Sequence, residues 1–115
     1  SKVVEKTFFE FCFDDARRDV TCKCRQLGLD YKGDPLGGGE AKDDSTGVYI
    51  WATSLVLARW LATLPPPTLS RKRVCELGAG CGLPSVAALR HAHPECVTAT
   101  DVYTHVLDNL RHNLR

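Results

Sequence analysis

The chain has 115 residues, of which 43% are hydrophobic and 25% charged, the size and composition of one globular domain. Fifteen basic and fourteen acidic residues give a net charge of +1, which indicates neither a nucleic-acid-binding protein nor a polybasic membrane-surface protein. The longest apolar stretch, residues 50–64, is interrupted by Thr53, Ser54 and Arg59 and is not predicted to cross a bilayer. The first residues lack the charged-then-apolar order of a signal peptide.

Six cysteines in a chain this short raise the question of a disulfide scaffold. Three lie in predicted strands, two in apolar runs and one in a glycine-rich turn, without a CxxC pair: Cys12, Cys22, Cys24, Cys75, Cys96 and Cys81. This distribution favours reduced, mostly buried thiols and therefore a cytoplasmic or nuclear protein. Zinc binding by Cys22 and Cys24 stays open, but a second ligand pair at the usual spacing is lacking, and we predict no metal site.

The first predicted element is a β-hairpin. Residues 7–13 alternate with Phe9, Phe11 and Phe13 on one face, and residues 20–25 alternate again after a short charged segment. Residues 26–46 contain Gly33, Pro35 and three successive glycines, which predicts a flexible loop. A phosphate-binding role for the three glycines is disfavoured because no helical pattern follows them. Residues 1–46 are thus predicted to form a hairpin and loop unit.

The remaining residues, 47–115, alternate between helical and strand patterns. A helix is predicted over 53–64, capped by Thr53 or Ser54 and ended by three prolines. It is followed by a buried strand at 74–77, a helix at 83–91, a strand at 96–100 and a helix at 104–114. Two successive strand–helix units predict a parallel, doubly wound α/β sheet with right-handed crossovers.

Three glycines, Gly78, Gly80 and Gly82, stand at alternate positions between a predicted strand and helix. A dinucleotide-binding fingerprint places its third glycine three positions after the second, whereas here the interval is two. Pro84 also removes an amide from the first helical turn, which disfavours NAD and FAD. No Lys-Ser/Thr pair follows, so a P-loop is disfavoured as well. Either the backbone approaches another nucleotide-type ligand closely, or the turn binds nothing.

The sequence allows two interpretations of the role of each of three further residues. Asp101 ends the second strand of this unit, where open α/β sheets bind ligands, but it would also serve as a helix N-cap. Glu76 lies in an apolar strand and needs a partner, either a ligand ammonium group or backbone amides. Trp51 either flanks a cofactor or packs in the core.

The run Glu76 to Pro84 (ELGAGCGLP), together with Thr100-Asp101, resembles the first two S-adenosylmethionine motifs of class I, seven-β-strand methyltransferases. The upstream run 47–58 (GVYIWATSLVLA) is similar to the tryptophan motif and following helix of the family-16, methyltransferase-like group. That group mostly methylates lysines of proteins, with arginine and histidine substrates in some members. The resemblance implies a Rossmann-like class I methyltransferase fold.

The resemblance also implies S-adenosyl-L-methionine as the cofactor. Asp101 would hold the ribose hydroxyls, Trp51 would lie beside the pocket, and the strand end and glycine turn would surround the methionine part. The implied cofactor-binding residues are Trp51, Glu76, Gly78, Ala79, Gly80, Gly82 and Asp101. One departure is Ala52, since many relatives have proline after the tryptophan.

The resemblance covers about residues 7–114, the N-terminal portion of the family's fold. The acid-x-x-tyrosine motif that the family carries at its substrate site is not identifiable, and no catalytic residue can be assigned. Four histidines, His91, His93, His105 and His112, are expected on the solvated surface.

We therefore expect a cofactor-binding fragment of a longer protein N-methyltransferase, inactive by itself, in which residues 47–115 form the N-terminal half of the cofactor-binding domain. The missing C-terminal half or a second chain is expected to complete its sheet, because an unpaired core strand with an uncovered apolar face promotes aggregation. Two alternatives remain: a non-catalytic S-adenosylmethionine-binding module that acts through a partner, and a nicotinamide-dependent oxidoreductase.

Overall fold

The computed structural model describes residues 2–16, 19–30 and 46–115. An N-terminal pair of strands precedes a helix and a strand–helix–strand–helix unit. The elements are β1 (Lys2–Phe11), β2 (Cys22–Asp30), a 3₁₀ turn (Thr46–Val48), α1 (Ala52–Thr63), a second 3₁₀ turn (Pro66–Thr68), β3 (Arg73–Glu76), α2 (Leu83–His91), β4 (Cys96–Ala99) and α3 (Thr104–Asn113).

The first two strands pair antiparallel, which confirms the predicted hairpin. Their register places Phe8 opposite Arg25 and Phe11 opposite Cys22, with an irregularity between Val3 and Glu5. The aromatic face is also confirmed, since the odd-numbered phenylalanines 9, 11 and 13 are half-buried whereas Phe8 is exposed. This sheet therefore presents one face to the rest of the chain.

The prediction of a loop beginning at Gln26 is wrong for its first five residues, because β2 continues to Asp30. Cys22 and Cys24 are buried in the first part of β2, and Leu27 and Leu29 in the second. The buried positions thus shift from even to odd numbers along the strand, and this change of phase conceals it from a period-two pattern. The three successive glycines at 37–39 lie outside the described residues.

Helix α1 begins one residue earlier than predicted, and its N-cap prediction is wrong. The N-cap residue is Trp51, and its side chain makes no capping hydrogen bond. Its carbonyl instead accepts hydrogen bonds from the N–H groups of Ser54 (3.0 Å) and Leu55 (3.3 Å). The helix ends at Thr63, just before the residue preceding the first proline, because proline disfavours helical backbone in the residue before it.

Strands β3 and β4 pair in parallel with α2 between them, which confirms the predicted parallel strand–helix–strand unit. The register runs from Arg73 opposite Cys96 to Glu76 opposite Ala99. The prediction that the segment 74–77 is buried is wrong in this structure, since Cys75 is exposed and Leu77 is 81% exposed. The physical reason is that the described part of this sheet has two strands, which leaves apolar side chains uncovered.

Among the described residues, two hydrophobic clusters form the core, and both contain residues from the segments around the glycine turn. The first joins the hairpin, α1, the turn and α2 through Cys22, Cys24, Ala58, Cys81, Leu83, Val86 and Ala87. The second joins the far end of the hairpin, the first 3₁₀ turn and α3 through Leu27, Leu29, Val48 and Val106. The glycine turn is therefore supported by elements from both parts of the chain.

All six cysteines are free thiols, as predicted. Three of them are buried, one is half-buried and two are exposed, so fewer thiols are buried than predicted. In that order they are Cys22, Cys24 and Cys81, then Cys96, then Cys12 and Cys75. Within the described ranges, no helix has the length and apolar character needed to cross a membrane.

Candidate functional site

The turn after β3 requires glycine at three positions. Gly78, Gly80 and Gly82 have φ angles of 63°, 56° and 82°, in the left-handed region that residues with a Cβ rarely adopt. The turn is tied to the end of β4, because the Ala79 N–H donates a hydrogen bond to the Thr100 carbonyl at 2.8 Å. The backbone amides of this turn therefore have defined positions at the carboxyl ends of the two parallel strands.

Asp101 lies immediately beside this turn. One carboxylate oxygen, Oδ2, accepts a hydrogen bond from the Gly80 N–H at 2.8 Å, and Oδ1 accepts one from the Val102 N–H at 2.7 Å. The N-cap residue of α3 is Tyr103, so the alternative prediction that Asp101 is the N-cap of this helix is wrong. A carboxylate has about four lone-pair positions, so each oxygen retains capacity for a further donor.

The segment before α1 packs against the glycine turn. Trp51 is 55% exposed, and its indole Nε1–H donates to the Thr46 carbonyl at 2.8 Å, so it is not a core residue. A Cβ on Gly80 would lie 3.3 Å from the carbonyl oxygen of Gly47, which shows how closely the two segments approach. The Cys81 thiol lies 3.9 Å from the same carbonyl oxygen.

A cavity of about 240 Å³ opens where these segments meet. It brings together five of the seven predicted cofactor-binding residues: Trp51, Gly78, Ala79, Gly80 and Asp101. Six lining residues were not among the predicted ones: Thr46, Gly47, Tyr49, Ser54, Cys81 and Tyr103. Their position in the sequence is the signal that would have found them, since each lies within the tryptophan run or directly before it, within the glycine turn, or two residues after Asp101.

Glu76 does not line this cavity. Its Oε1 accepts a hydrogen bond from the Ser85 hydroxyl at 2.6 Å, so its partner in this structure belongs to the first turn of α2. Burial raises the pKa of the Glu76 carboxyl, against the lowering effect of hydrogen bonds from the hydroxyl and backbone N–H of Ser85. Glu76 instead borders an apolar cavity of about 160 Å³ with Leu57, Leu61, Val74, Cys75, Pro84, Ser85 and Ala88.

Gly82 also lies outside the lining of the candidate cavity, and its surroundings explain its small size. A Cβ at this position would collide with Cδ1 of Leu110 on α3. Gly82 therefore allows α3 to pack directly against the start of α2.

The four histidines occupy different environments. His93 and His112 are exposed, whereas His91 and His105 are half-buried, so the expectation of solvated surface is wrong for the latter two. The His91 ring contacts the ring of Phe13 edge-on, with centroids 6.3 Å apart. The His105 ring stacks on Tyr103 at 5.7 Å, which places it behind one wall of the candidate cavity.

His112 borders a third cavity, of about 390 Å³, between the hairpin and the ends of α2 and α3. None of the predicted site residues lines it. Partial desolvation lowers the pKa of His112, and the nearby positive charges of Arg25, Arg115 and Lys6 lower it further. The chemistry expected of a cofactor site is thus concentrated in the candidate cavity of about 240 Å³.

The environment of Cys22 and Cys24 disfavours metal binding, which requires thiolates. Burial raises the pKa of Cys22, and hydrogen bonding to Cys81 together with burial raises that of Cys24. Across the part of the chain that the structure describes, no group of three or more His, Cys, Asp or Glu side chains is arranged to hold a metal ion.

The sequence was compared with family profiles and with curated proteins, and both comparisons found relatives of one kind. The sequence profile of a family described as lysine methyltransferase matches residues 32–115. The protein-lysine methyltransferase METTL21E of Bos taurus is 40% identical over 89 residues, which cover 76% of this chain and 29% of that protein.

Two further relatives carry the name protein-lysine N-methyltransferase EEF2KMT. The Bos taurus protein is 36% identical over 70 residues, or 61% of this chain and 20% of that protein. The Homo sapiens protein is 34% identical over 88 residues, or 70% of this chain and 26% of that protein. The chain thus spans less than a third of the length of these relatives. On the match of the family profile to most of its residues, the chain belongs to the lysine methyltransferase family.

Proposed function

We propose that this protein is an S-adenosylmethionine-dependent methyltransferase that methylates a side-chain nitrogen, that of lysine, in a protein substrate. The observation that carries the proposal is the convergence of the glycine turn, Asp101 and Trp51 on one cavity. Family membership and the names of the relatives, protein-lysine methyltransferases, support the same activity and substrate class.

The residues of the cavity fit an S-adenosyl group. A Cβ on Gly78 would meet no atom within 4 Å, so the turn offers open space to a ligand. The acceptor capacity that Asp101 retains suits the two hydroxyls of a ribose, and the exposed indole of Trp51 offers an apolar wall. The volume of about 240 Å³ lies below the range of small-molecule sites, about 300–1,000 Å³. The described residues thus supply part of such a site.

Charge also favours S-adenosylmethionine over a dinucleotide. The Gly80 N–H, an amide that would bind a pyrophosphate oxygen in a nucleotide fingerprint, already donates to the Asp101 carboxylate. A pyrophosphate there would face a like charge, and Pro84 in the first turn of α2 supplies no N–H. A cationic sulfonium ligand meets no such repulsion.

When bound, the cofactor would supply a methyl group on a sulfonium for in-line attack by a neutral amine of the substrate, with the electron pair of the broken carbon–sulfur bond left on sulfur. The substrate nitrogen then releases a proton to solvent or a base. The chain's own contribution is positional: Asp101 and the turn amides orient the ligand, and Trp51 shields it from water. Holding the reactants in one geometry can supply about 7–11 kcal/mol of the barrier.

We include Glu76 and Gly82 in the proposed site with different roles. Glu76 would turn from the Ser85 hydroxyl, its partner in this structure, to the ammonium group of the methionine part. Gly82 would act indirectly by letting α3 approach the turn.

We further propose that residues 1–46 form an N-terminal hairpin unit and residues 47–115 the N-terminal half of a doubly wound, Rossmann-like domain. Leu77 and Val102 are each 81% exposed beside β3 and β4. Large exposed apolar side chains next to strand edges suit burial by further strands, supplied by a longer chain or by a second one. The six free thiols suit a cytoplasmic or nuclear location.

The test of the activity is transfer of a labelled methyl group from S-adenosylmethionine to proteins of a cell extract, followed by acid hydrolysis. We expect labelled methyllysine with the full-length protein and none with its Asp101→Ala variant. Binding of the cofactor without any transfer would favour the non-catalytic module, and label in nucleic acid alone would contradict the proposed substrate class.

A further inference from the structure

Two asparagines on α3 connect the hairpin to the candidate cofactor turn. Asn109 and Asn113 are four residues apart and therefore lie on the same face of the helix. Asn109 has no exposed surface, and Asn113 is half-buried. Both side-chain amides bond to Arg25 in β2, although α3 and β2 are separated by more than 70 residues of sequence.

The Asn113 side chain bonds the backbone of Arg25 as a neighbouring strand would. Its Oδ1 accepts from the Arg25 N–H at 2.8 Å, and its Nδ2 donates to the Arg25 carbonyl at 3.0 Å. Asn109 Nδ2 donates to the same carbonyl at 3.0 Å, and its Oδ1 accepts from Nε of Arg25 at 2.7 Å. Backbone groups away from water need such partners, so α3 closes the outer edge of β2 at this residue.

Asn113 makes two more contacts: Nδ2 lies 3.5 Å from the Cys24 sulfur in β2, and it also reaches the site. Its Nδ2 donates to the carbonyl of Cys81 at 2.8 Å. Cys81 lines the candidate cavity, and the adjacent Gly80 N–H is held by Asp101. The peptide segment that faces the cavity is thus held by Asp101 on one side and Asn113 on the other.

We infer that Asn113, which shares the Arg25 carbonyl with Asn109, is a positioning residue that fixes the glycine turn to the hairpin and so sets the geometry of the cofactor site. The inference rests on the proposed function. It gives the N-terminal hairpin a part in cofactor binding, although none of the hairpin residues that the structure describes lines the candidate cavity. An orphaned Cys81 carbonyl would let the turn sample other conformations, which lowers affinity for a ligand that needs one of them.

The variant that tests this is Asn113→Asp, which keeps the shape and the acceptor for the Arg25 N–H but places a carboxylate oxygen against the Cys81 and Arg25 carbonyls. We expect the full-length variant to bind S-adenosylhomocysteine about tenfold more weakly per folded molecule, because the hydrogen bonds that Nδ2 donates to the Cys81 and Arg25 carbonyls are lost and two acceptors then face each other. Folded fraction is measured by circular dichroism on the same sample.

Two controls separate positioning from general stability. Arg111→Ala alters the exposed face of the same helix, where Arg111 pairs with Asp108 at 3.0 Å, and should bind normally. Leu29→Ala removes a buried side chain at the far end of β2 and should lower the melting temperature without changing affinity per folded molecule. If Leu29→Ala weakens binding as much as Asn113→Asp, or if Asn113→Asp binds normally, the inference is overturned.

A second measurement needs neither a variant nor a cofactor. Hydrogen exchange of the unaltered protein should show the amides of Arg25, Gly80 and Gly82 opening with similar free energies, since one side chain holds both segments. Exchange of the turn amides far faster than that of Arg25 would overturn the inference even if Asn113→Asp does not fold. Failure of the wild type to bind S-adenosylhomocysteine would contradict the proposed function. The exchange result would still test whether Asn113 couples the glycine turn to the hairpin.

Discussion

The Asp101 carboxylate and the Gly80 amide are 2.8 Å apart, so the acid at the end of β4 holds the backbone of the turn that follows β3. This contact joins the two halves of the parallel strand pair at the mouth of the candidate cavity. Asp101 therefore has two tasks, to shape the turn and to offer its remaining lone pairs to a ligand.

The first prediction concerns this contact. Asp101→Asn keeps the shape of the side chain but replaces one acceptor oxygen with a donor, which faces either the Gly80 or the Val102 N–H. We expect at least a tenfold loss of affinity for S-adenosylhomocysteine by calorimetry, with the fold retained. Asp108→Asn, which alters an exposed carboxyl on α3, is the matched control and should bind normally. Equal affinity in the two variants would contradict the role given to Asp101.

The second prediction concerns packing at Gly82. Gly82→Ala combines a φ of 82° with a collision against Leu110, and overpacking of this kind costs about 1–3 kcal/mol of unfolding free energy. Gly78→Ala, at a φ of 63° with open space around its Cβ, should cost only the backbone strain, about 1–2 kcal/mol.

Urea unfolding of Gly82→Ala in the Leu110→Ala background isolates the collision. If the contact with Leu110 causes the loss, the cost of Gly82→Ala must shrink when Leu110 is truncated. If the losses of unfolding free energy from the two substitutions are additive, the cost of Gly82→Ala does not come from contact with Leu110.

The third prediction concerns Glu76 and pH. Burial raises the folded-state pKa of this carboxyl above its unfolded value of about 4.3, so the folded state binds its proton more tightly. Stability from this group is therefore fully present below the unfolded pKa and is lost as pH rises through the folded pKa. Urea unfolding between pH 4 and 7 should show that loss in the wild type, and a flatter profile in Glu76→Gln.

Ser85→Ala sharpens the same test. Because the Ser85 hydroxyl lowers the pKa of Glu76, its removal should move the pH window of the stability loss upward. A profile that is unchanged by both substitutions would show that Glu76 does not titrate differently in the folded state.

The fourth prediction uses the two tryptophans as reporters. Trp51 borders the candidate cavity, whereas Trp60 is an exposed residue of α1 that does not line it. In Trp60→Phe, fluorescence of the remaining Trp51 should change on addition of S-adenosylhomocysteine and saturate at the affinity found by calorimetry. In Trp51→Phe, the signal of Trp60 should stay constant, and a response there would contradict the position of the site.

Much of the strand–helix–strand unit is predictable because local signals agree with the tertiary structure. The bounds of α2 and the start of α3 match the predicted ones, since the glycine turn and the residues after Asp101 mark them clearly. The second half of β2 was missed because its buried side changes phase between Cys24 and Leu27. The cap of α1 was missed because backbone hydrogen bonds to Trp51, which propensity does not encode, replace a side-chain cap.

The site was predictable where it depends on backbone shape and less so where it depends on side-chain direction. The glycines and Asp101 meet because parallel strands bring their carboxyl ends to one edge. The direction of Glu76 toward Ser85 depends on how α2 sits over β3, which sequence spacing does not specify. The bonds from Asn109 and Asn113 to Arg25 join residues more than 80 positions apart and leave no local pattern at all.

The central claim is that the cavity between the glycine turn, Asp101 and Trp51 binds S-adenosylmethionine. Calorimetric titration of the full-length protein with S-adenosylhomocysteine, and in parallel with NAD, tests it most directly. The account predicts saturable one-to-one binding of S-adenosylhomocysteine that Asp101→Asn weakens and Asp108→Asn does not. Absence of binding, or tighter binding of NAD, would contradict it.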